Sequence, residues 1–479
     1  MTHSSEIKRT NKLNILVFLT DDHGSWANRC YGDPIVNTPS IDFLAATGAR
    51  FENAFTPCPV CSPARASFWT GKIPSAHGIH DHIGDSEHPG ITGQKTLAQW
   101  LKEAGYYTGL CGKWHGHAYG QNPQPGFDYW FSQWFGTNAK FGPQPFSRNG
   151  EREEYHGHQS PLIADSAIQF LHEHKHSDSS APFFLFVGFT DTHSPFSTLP
   201  ERLVQKYRNT PLNAIENEPF SNIHGEEVFA SPNDEAGWRE QLAQYYASVE
   251  LIDEQVGRVL DVLEGTGELD NTVIVYTSDH GHMNGQHGLL TKGNATIPQN
   301  FLEESIRVPL VVRHPHSATY GQIFNFMVDH TDLHATIREI AGVEPAAELP
   351  GVSYLPILES SEESSAISWR SKQFCEYGNA RMIRTDAGFK LIRRYPGPNG
   401  HFQDEFYNLQ IDPQERQNFI ADPAYASLVH QLDGEMDSFF NTFESSDCSG
   451  RNIARLRSWN IIEPWRSEWN GDLDHILVG

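Results

Sequence analysis

Continuous apolar runs that lead directly into polar residues constrain the fold of this chain most strongly. Residues 14–19 form one such run and continue into Thr20-Asp21-Asp22, and residues 272–277 form another that continues into Ser278-Asp279-His280. Such runs are typical of strands covered on both faces, as in a parallel sheet flanked by helices. Acids at the end of a buried strand are costly unless something compensates their charge.

Strand and helix patterns alternate over the first three quarters of the chain. Further strands are predicted at residues 106–111, 182–189 and 309–312, and helices at 39–48, 94–104, 160–174 and 237–263. This alternation predicts an α/β fold with a largely parallel sheet. Residues 116–159, which are rich in Gly, Pro, Asn and aromatic residues, are predicted to be dominated by loops, and residues 194–232 are also predicted to be irregular.

The composition changes near residue 345, where Pro, Glu, Ser and Ala dominate to about residue 368 and predict a linker. Beyond it, strands are predicted at 372–377, 389–394 and 405–409, followed by a helix at 424–440. We therefore expect a large N-terminal domain at residues 12–345 and a smaller α+β subdomain with a tail at residues 366–479.

The net charge of −25 over 479 residues argues against nucleic acids and anionic membranes as partners. No stretch reads as a signal peptide or as a membrane span, and six cysteines are too few for a dense disulfide framework. These features predict a cytoplasmic protein, unless a signal peptide has been removed. The oligomeric state is not predicted. A small anion can still enter a locally basic pocket.

The acids Asp21, Asp22 and Asp279 are predicted to converge, because the carboxyl ends of parallel strands share one crevice. Three carboxylates at one place would hold a hard divalent cation through oxygen ligands. Each acid alone is more simply explained as the cap of a following helix. The occurrence of these acids together around Cys61 favours a metal site over separate helix caps.

Cys58-Pro59-Val60-Cys61 is a C-x-x-C pair, which is also consistent with a redox dithiol or half of a zinc site. A zinc site would need a second Cys or His pair at short spacing, and none is evident.

Cys61, Pro63 and Arg65, followed by residues 66–71, form a segment that resembles the signature of the type I, formylglycine-dependent sulfatases of the alkaline-phosphatase-like superfamily. The resemblance implies a large mixed, mostly parallel sheet with a smaller α+β C-terminal subdomain. It also implies that a separate maturing enzyme converts Cys61 to formylglycine, whose hydrate supplies the nucleophilic hydroxyl. Other similar segments are residues 105–115, 192–196, 285–293 and 406–413.

The resemblance implies a metal site for Ca²⁺, with Mg²⁺ as the lesser expectation. Its ligands would be Asp21, Asp22, Asp279, His280 and the modified residue 61. The last family ligand is commonly Asn or His, so His280 is an accepted variant.

The resemblance also assigns catalytic roles. Arg65 would stabilise the activated oxygen, and Lys113 would bridge the sulfate and the formylglycine. His115 would take a proton from the second hydroxyl and trigger sulfate release. His193 would lie near the leaving-group oxygen, and Lys292 would contact the sulfate and the bridging oxygen. His287 has no predicted role, and Cys111 departs mildly from the family pattern.

The resemblance therefore implies a sulfuric ester hydrolase. We expect a small sulfated substrate, most simply a sulfated mono- or oligosaccharide, and the formylglycine-generating enzyme as a partner during maturation. Aromatic and His-rich stretches at residues 77–82 and 118–146 could stack on sugar rings or simply pack. Open alternatives are a choline or aryl sulfatase, a phosphonate monoester or phosphodiester hydrolase, and an inactive binding protein.

Overall fold

The computed structural model describes residues 12–84, 87–117, 121–134, 140–177, 180–196, 198–317, 320–360, 368–397, 402–457, 459–460, 463 and 465. Its strands are β1 (Asn14–Thr20), β2 (Ala49–Phe55), β3 (Tyr107–Gly112), β4 (Tyr129–Gln133), β5 (Phe141–Arg148), β6 (Glu151–His158), β7 (Phe183–Gly188), β8 (Glu226–Glu227), β9 (Thr272–Ser278), β10 (Met283–Asn284), β11 (Leu290–Thr291), β12 (Thr296–Ile297), β13 (Leu310–Arg313), β14 (Gln322–Asp329), β15 (Lys372–Tyr377), β16 (Ala380–Thr385), β17 (Phe389–Arg394) and β18 (Glu405–Asn408).

The α-helices are α1 (Pro39–Ala46), α2 (Cys61–Thr70), α3 (Pro74–His77), α4 (Leu97–Glu103), α5 (Gln159–His176), α6 (Glu201–Arg208), α7 (Glu235–Gly265), α8 (Glu303–Ile306), α9 (His330–Ile340), α10 (Leu355–Glu359) and α11 (Ala426–Phe443). No helix among the described residues has a stretch apolar and long enough to cross a bilayer.

A ten-stranded mixed sheet forms the centre of the molecule, in the order β14-β2-β13-β9-β1-β7-β3-β4-β5-β6. Its middle is parallel, from β9 through β1, β7 and β3 to β4. Strand β13 runs antiparallel to both neighbours, and β5 and β6 add an antiparallel ribbon at one edge.

Alternate side chains of the central strands enter two separate hydrophobic cores. Val17 faces a core shared with helices α2, α4 and α9, whereas Leu16 faces a core shared with α1, α5 and α7. Both side chains are fully buried. The apolar runs are continuous because the strands are covered by helices on both faces.

A second, four-stranded antiparallel sheet has the order β15-β16-β17-β18. One face packs on α11 through residues such as Leu391 and Met436. The other face, which includes Met382 and Tyr407, packs against Cys58 and Val60, directly before α2. The smaller subdomain therefore supports the segment that leads into Cys61.

The predicted fold class is confirmed: a large mixed, mostly parallel sheet flanked by helices, with a smaller α+β unit after it. The expectation of irregular structure was wrong in places. Residues 116–159 contain β4, β5 and β6, and residues 194–232 contain α6. The predicted linker contains α10, whose Ile357 packs into the main core. The domain limits 12–345 and 366–479 remain predictions.

Phe186 of β7 offers a test of the core between the sheet and α2. It is fully buried, with ring centroids 5.5 Å from Phe68 and 4.6 Å from Trp69. We expect Phe186→Ala to lower the free energy of unfolding by about 3–5 kcal/mol, because the cavity cannot close fully. Denaturant titration measures this loss. Phe43→Ala, at a position 41% exposed, is the matched control, and an equal loss there would contradict the assignment.

Candidate functional site

Two neighbouring parallel strands bring the predicted metal ligands to one edge of the sheet. Strands β1 and β9 pair with Thr20 opposite Ser278, so Asp21 and Asp279 leave the sheet side by side. The Asp279 amide donates to the Thr20 carbonyl at 3.1 Å. Asp21, Asp22, Asp279 and His280 are all at most 1% exposed.

Helix α2 begins at Cys61, and its first side chain points into this group of acids. The Cys61 Sγ lies 3.4 Å from Asp21 Oδ1, 3.3 Å from His280 Nε2 and 3.1 Å from Lys292 Nζ. Cys58, in contrast, packs in a hydrophobic cluster, and none of the chain's six cysteines forms a disulfide. The two cysteines of the C-x-x-C pair therefore occupy different environments.

Three cations compensate the buried carboxylates. Arg65 Nε donates to Asp279 Oδ2 at 2.7 Å, and Lys292 Nζ donates to Asp22 Oδ1 at 2.6 Å. The Lys113 ammonium forms a short contact with Asp21. The structure thus brings Arg65, Lys113 and Lys292 together around Cys61, although they are distant in sequence.

These charges shift the ionisation of the acids and of the thiol. Burial opposes ionisation of Asp21, but Lys113, His193, Arg65 and Lys292 hold its pKa well below the usual value. Burial and Asp21 raise the pKa of the Cys61 thiol, yet Lys113, Lys292 and His280 outweigh them and lower it. The site therefore stabilises an anion at position 61.

His280 is oriented as a metal ligand would be. Its Nδ1 lies 2.9 Å from the Gly281 carbonyl, which can only accept a hydrogen bond, so Nε2 faces the acids. Nε2 is 3.3 Å from both Asp22 Oδ1 and Asp279 Oδ1. Burial lowers the pKa of His280, but Asp279, Cys61 and Asp22 raise it to about 9 overall.

The donor set fits a divalent cation. Ligand atoms of Asp21, Cys61, Asp279 and His280 lie within 4.8 Å of one another. Asp22 Oδ2 is buried and has no hydrogen-bond partner among the described residues. Oxygen-rich ligands favour a hard cation such as Ca²⁺ or Mg²⁺, and the imidazole makes the set less selective.

The two predicted proton-transfer histidines occupy different surroundings. His193 is partly open, with 35% of its side chain exposed, and its Nε2 lies 3.8 Å from Asp22 Oδ2. His115 is more enclosed, with Nε2 3.4 Å from the Ile83 carbonyl and Nδ1 unpartnered among the described atoms. Burial, Lys113 and Arg65 together hold the pKa of His115 well below its usual value.

Sequence reasoning missed His282. Its ring stacks on Tyr245 with centroids 4.4 Å apart, and its Nδ1 lies 3.9 Å from Asp22 Oδ2. Its position two residues after His280 could have identified it. His287, left without a role, lies 3.1 Å from Glu304 Oε2 and helps to hold the segment that carries Lys292.

Comparison with known proteins identifies the family. A sequence model described as sulfatase matches residues 13–343, and one described as N-sulphoglucosamine sulphohydrolase, C-terminal, matches residues 286–441. An N-acetylglucosamine-6-O-sulfatase of Bacteroides thetaiotaomicron is 27% identical over 89% of this chain and 86% of its own. An ulvan-active sulfatase of Formosa agariphila is 29% identical over 89% of this chain and 80% of its own.

A choline-sulfatase of Rhizobium meliloti is also 27% identical, over 97% of this chain and 94% of its own. Among solved structures, a protein in complex with its substrate D-glucosamine-2-N,6-O-disulfate matches this chain with a TM-score of 0.78 at 26% sequence identity. That match covers 90% of this chain and 98% of the other. The family model spans more than half of the chain and includes every residue of the site described above. The chain therefore belongs to the sulfatase family and is a sulfuric ester hydrolase.

Proposed function

We propose that this chain hydrolyses carbohydrate sulfate monoesters, with residue 61 as the nucleophile after conversion of Cys61 to formylglycine. The position of Cys61 Sγ carries the proposal, since it lies within 3.5 Å of Asp21, His280 and Lys292. A formylglycine hydrate there would supply a hydroxyl nucleophile at neutral pH. The maturing enzyme is the implied partner.

Asp21, Asp22, Asp279 and His280 would hold the metal, with Ca²⁺ as the proposed ion because three of the four side chains are carboxylates. A divalent cation supplies Lewis-acid polarisation and neutralises negative charge on a bound sulfate. His280 would act as a neutral ligand through Nε2.

Arg65, Lys113 and Lys292 would stabilise the sulfate and the charge that grows on its oxygens. Their charges are fixed in place by Asp279, Asp21 and Asp22, so little reorganisation is needed during the reaction. A bound sulfate would exchange its hydration water for these three donors, whose positions are already set.

His193 and His115 would move protons. His193 Nδ1 lies 2.5 Å from the Ser194 carbonyl, so Nε2 is the nitrogen available to a leaving group. Its side chain is partly exposed, so a bound substrate would have access to Nε2. His115 is kept neutral by burial and by Lys113, and a neutral imidazole can accept a proton during sulfate release.

Carbohydrate as the substrate class is supported by the relatives that are named for N-acetylglucosamine 6-sulfate and ulvan. The choline-sulfatase relative keeps a non-sugar ester as the second candidate. Phosphonate monoesters are the third, because the same nucleophile chemistry serves them. An inactive binding protein is disfavoured because Cys61, Arg65, Lys113, His115, His193 and Lys292 are all present.

The proposed substrate class is tested with mature enzyme on N-acetylglucosamine 6-sulfate, other sulfated sugars, choline sulfate and 4-nitrophenyl phenylphosphonate. We expect the highest kcat/KM on a sulfated sugar, measured as released sulfate. Higher kcat/KM on choline sulfate or the phosphonate would overturn the carbohydrate assignment.

Removal of one metal carboxylate tests the cation site. We expect Asp279→Asn to lose its bound Ca²⁺ and to lower kcat/KM by at least about 10²-fold, because charge stabilisation in the site is lost. Asp270→Asn, at a surface acid paired with Arg313, is the matched control. Metal content is read by mass spectrometry. Full turnover after exhaustive chelation would contradict the site.

The role of His193 is tested through the leaving group. A sugar alkoxide needs a proton as the S–O bond breaks, whereas nitrophenolate needs little help. We expect His193→Ala to slow a sugar sulfate by about 10²–10⁴-fold and 4-nitrophenyl sulfate far less. Lys292→Ala should slow both, since it removes a fixed charge from the sulfate. Equal slowing of both substrates by His193→Ala would show a positioning or structural histidine.

A further inference from the structure

The segment that carries His193 belongs to no helix or strand, yet it is firmly attached to the metal ligands. It follows β7 and comprises residues 190–193. The Thr192 amide donates to the Asp21 carbonyl at 2.8 Å, and the Thr192 hydroxyl donates to the Asp22 carbonyl at 2.7 Å. These bonds fix one side of the segment but leave the carbonyl of His193 to another partner.

That partner is Lys140, which lies in a buried polar group formed with Asp191, Ser160 and His158. We call these four residues the anchor cluster. The Lys140 ammonium donates to Asp191 Oδ1 at 2.9 Å and also to the His193 carbonyl. Ser160 donates its hydroxyl to the other Asp191 oxygen, and His158 Nδ1 lies 3.7 Å from it.

Burial of the charged members of the anchor cluster costs free energy. Lys140 is 5% exposed and Asp191 is fully buried. A buried ion pair is seldom the most stable solution for a core, because apolar side chains of similar volume are often as good or better. Burial opposes ionisation of Asp191, but Lys140 and His158 lower its pKa, so this carboxyl is ionised despite its burial.

The geometry links this pair to the orientation of the imidazole. Lys140 fixes the carbonyl of His193, and the ring Nδ1 contacts the next carbonyl, that of Ser194, at 2.5 Å. Main chain and ring are therefore both restrained, and Nε2 lies 3.8 Å from Asp22 Oδ2. The side chains of the anchor cluster form a group separate from the acids and cations around Cys61, and the main chain joins the two groups, since the Asp191 carbonyl accepts from the Asp21 amide at 3.5 Å.

We propose that Lys140 and Asp191 are positioning residues that hold His193 in the orientation required to protonate the leaving group. The inference rests on the proposed role of His193 and extends it to residues outside the predicted site. Loss of the Lys140–Asp191 ion pair should slow protonation of the leaving group, while the charges that bind the sulfate stay in place.

The test compares two aryl sulfates, so that it does not depend on the sugar assignment. Phenyl sulfate has the poorer leaving group, and 4-nitrophenyl sulfate the better. We expect Lys140→Met in mature enzyme to lower kcat on phenyl sulfate about 10-fold or more relative to 4-nitrophenyl sulfate. In the His193→Ala variant, adding Lys140→Met should not increase the difference in slowing between the two substrates. The reason is that Lys140 acts on the reaction only by orienting the His193 imidazole.

Lys390→Met is the matched control for loss of a buried lysine. Lys390 is fully buried and donates to Glu415 Oε1 at 2.6 Å in the smaller subdomain. Lys390→Met should lower the free energy of unfolding without altering the ratio of kcat on phenyl sulfate to kcat on 4-nitrophenyl sulfate. If Lys140→Met does not fold, Ser160→Ala is the second variant, since it removes only the hydroxyl that donates to Asp191.

The outcomes separate the two claims. Selective slowing by His193→Ala together with equal slowing of both substrates by Lys140→Met and Ser160→Ala overturns the positioning role alone. Equal slowing by His193→Ala overturns the acid role of His193, and the positioning role with it. Selectivity of Lys140→Met that persists undiminished in the double variant also overturns the inference, because Lys140 would then act independently of His193.

Discussion

The compensation of buried charge around Cys61 is the constraint on which the rest of the site depends. Asp21, Asp22 and Asp279 are buried at the ends of two adjacent strands, where an unpaired carboxylate would be very costly. Each has a cationic partner, in Lys113, Lys292 and Arg65 respectively. Each of the three carboxylates is thus matched by one lysine or arginine.

This balance explains how one pocket can serve both a cation and an anion. A divalent metal held by the carboxylates would take over their compensation and leave Lys113 and Lys292 available to a sulfate. The proposed metal and sulfate sites would therefore share one set of charged side chains. The same cations, together with His280, lower the pKa of the Cys61 thiol from its usual value despite its burial.

The strand ends were predictable because their pattern is local. The runs before Asp21 and Asp279 are apolar at nearly every position, and burial on both faces requires that. The ribbon β5–β6 was not predictable, because its strands are polar and rich in Gly and Pro and are defined by pairing at a sheet edge. Lys140 was missed for a related reason. It stands in no recognisable motif, and only tertiary folding brings it next to Asp191.

Conversion of Cys61 is the most direct test of the account. Preparations made with graded amounts of the maturing enzyme can be analysed by peptide mass spectrometry for the aldehyde and assayed for sulfate release. We predict the aldehyde at Cys61 and not at Cys58, with sulfate release proportional to the converted fraction and unaffected by Cys58→Ala. Turnover by protein in which Cys61 remains a thiol would contradict the account.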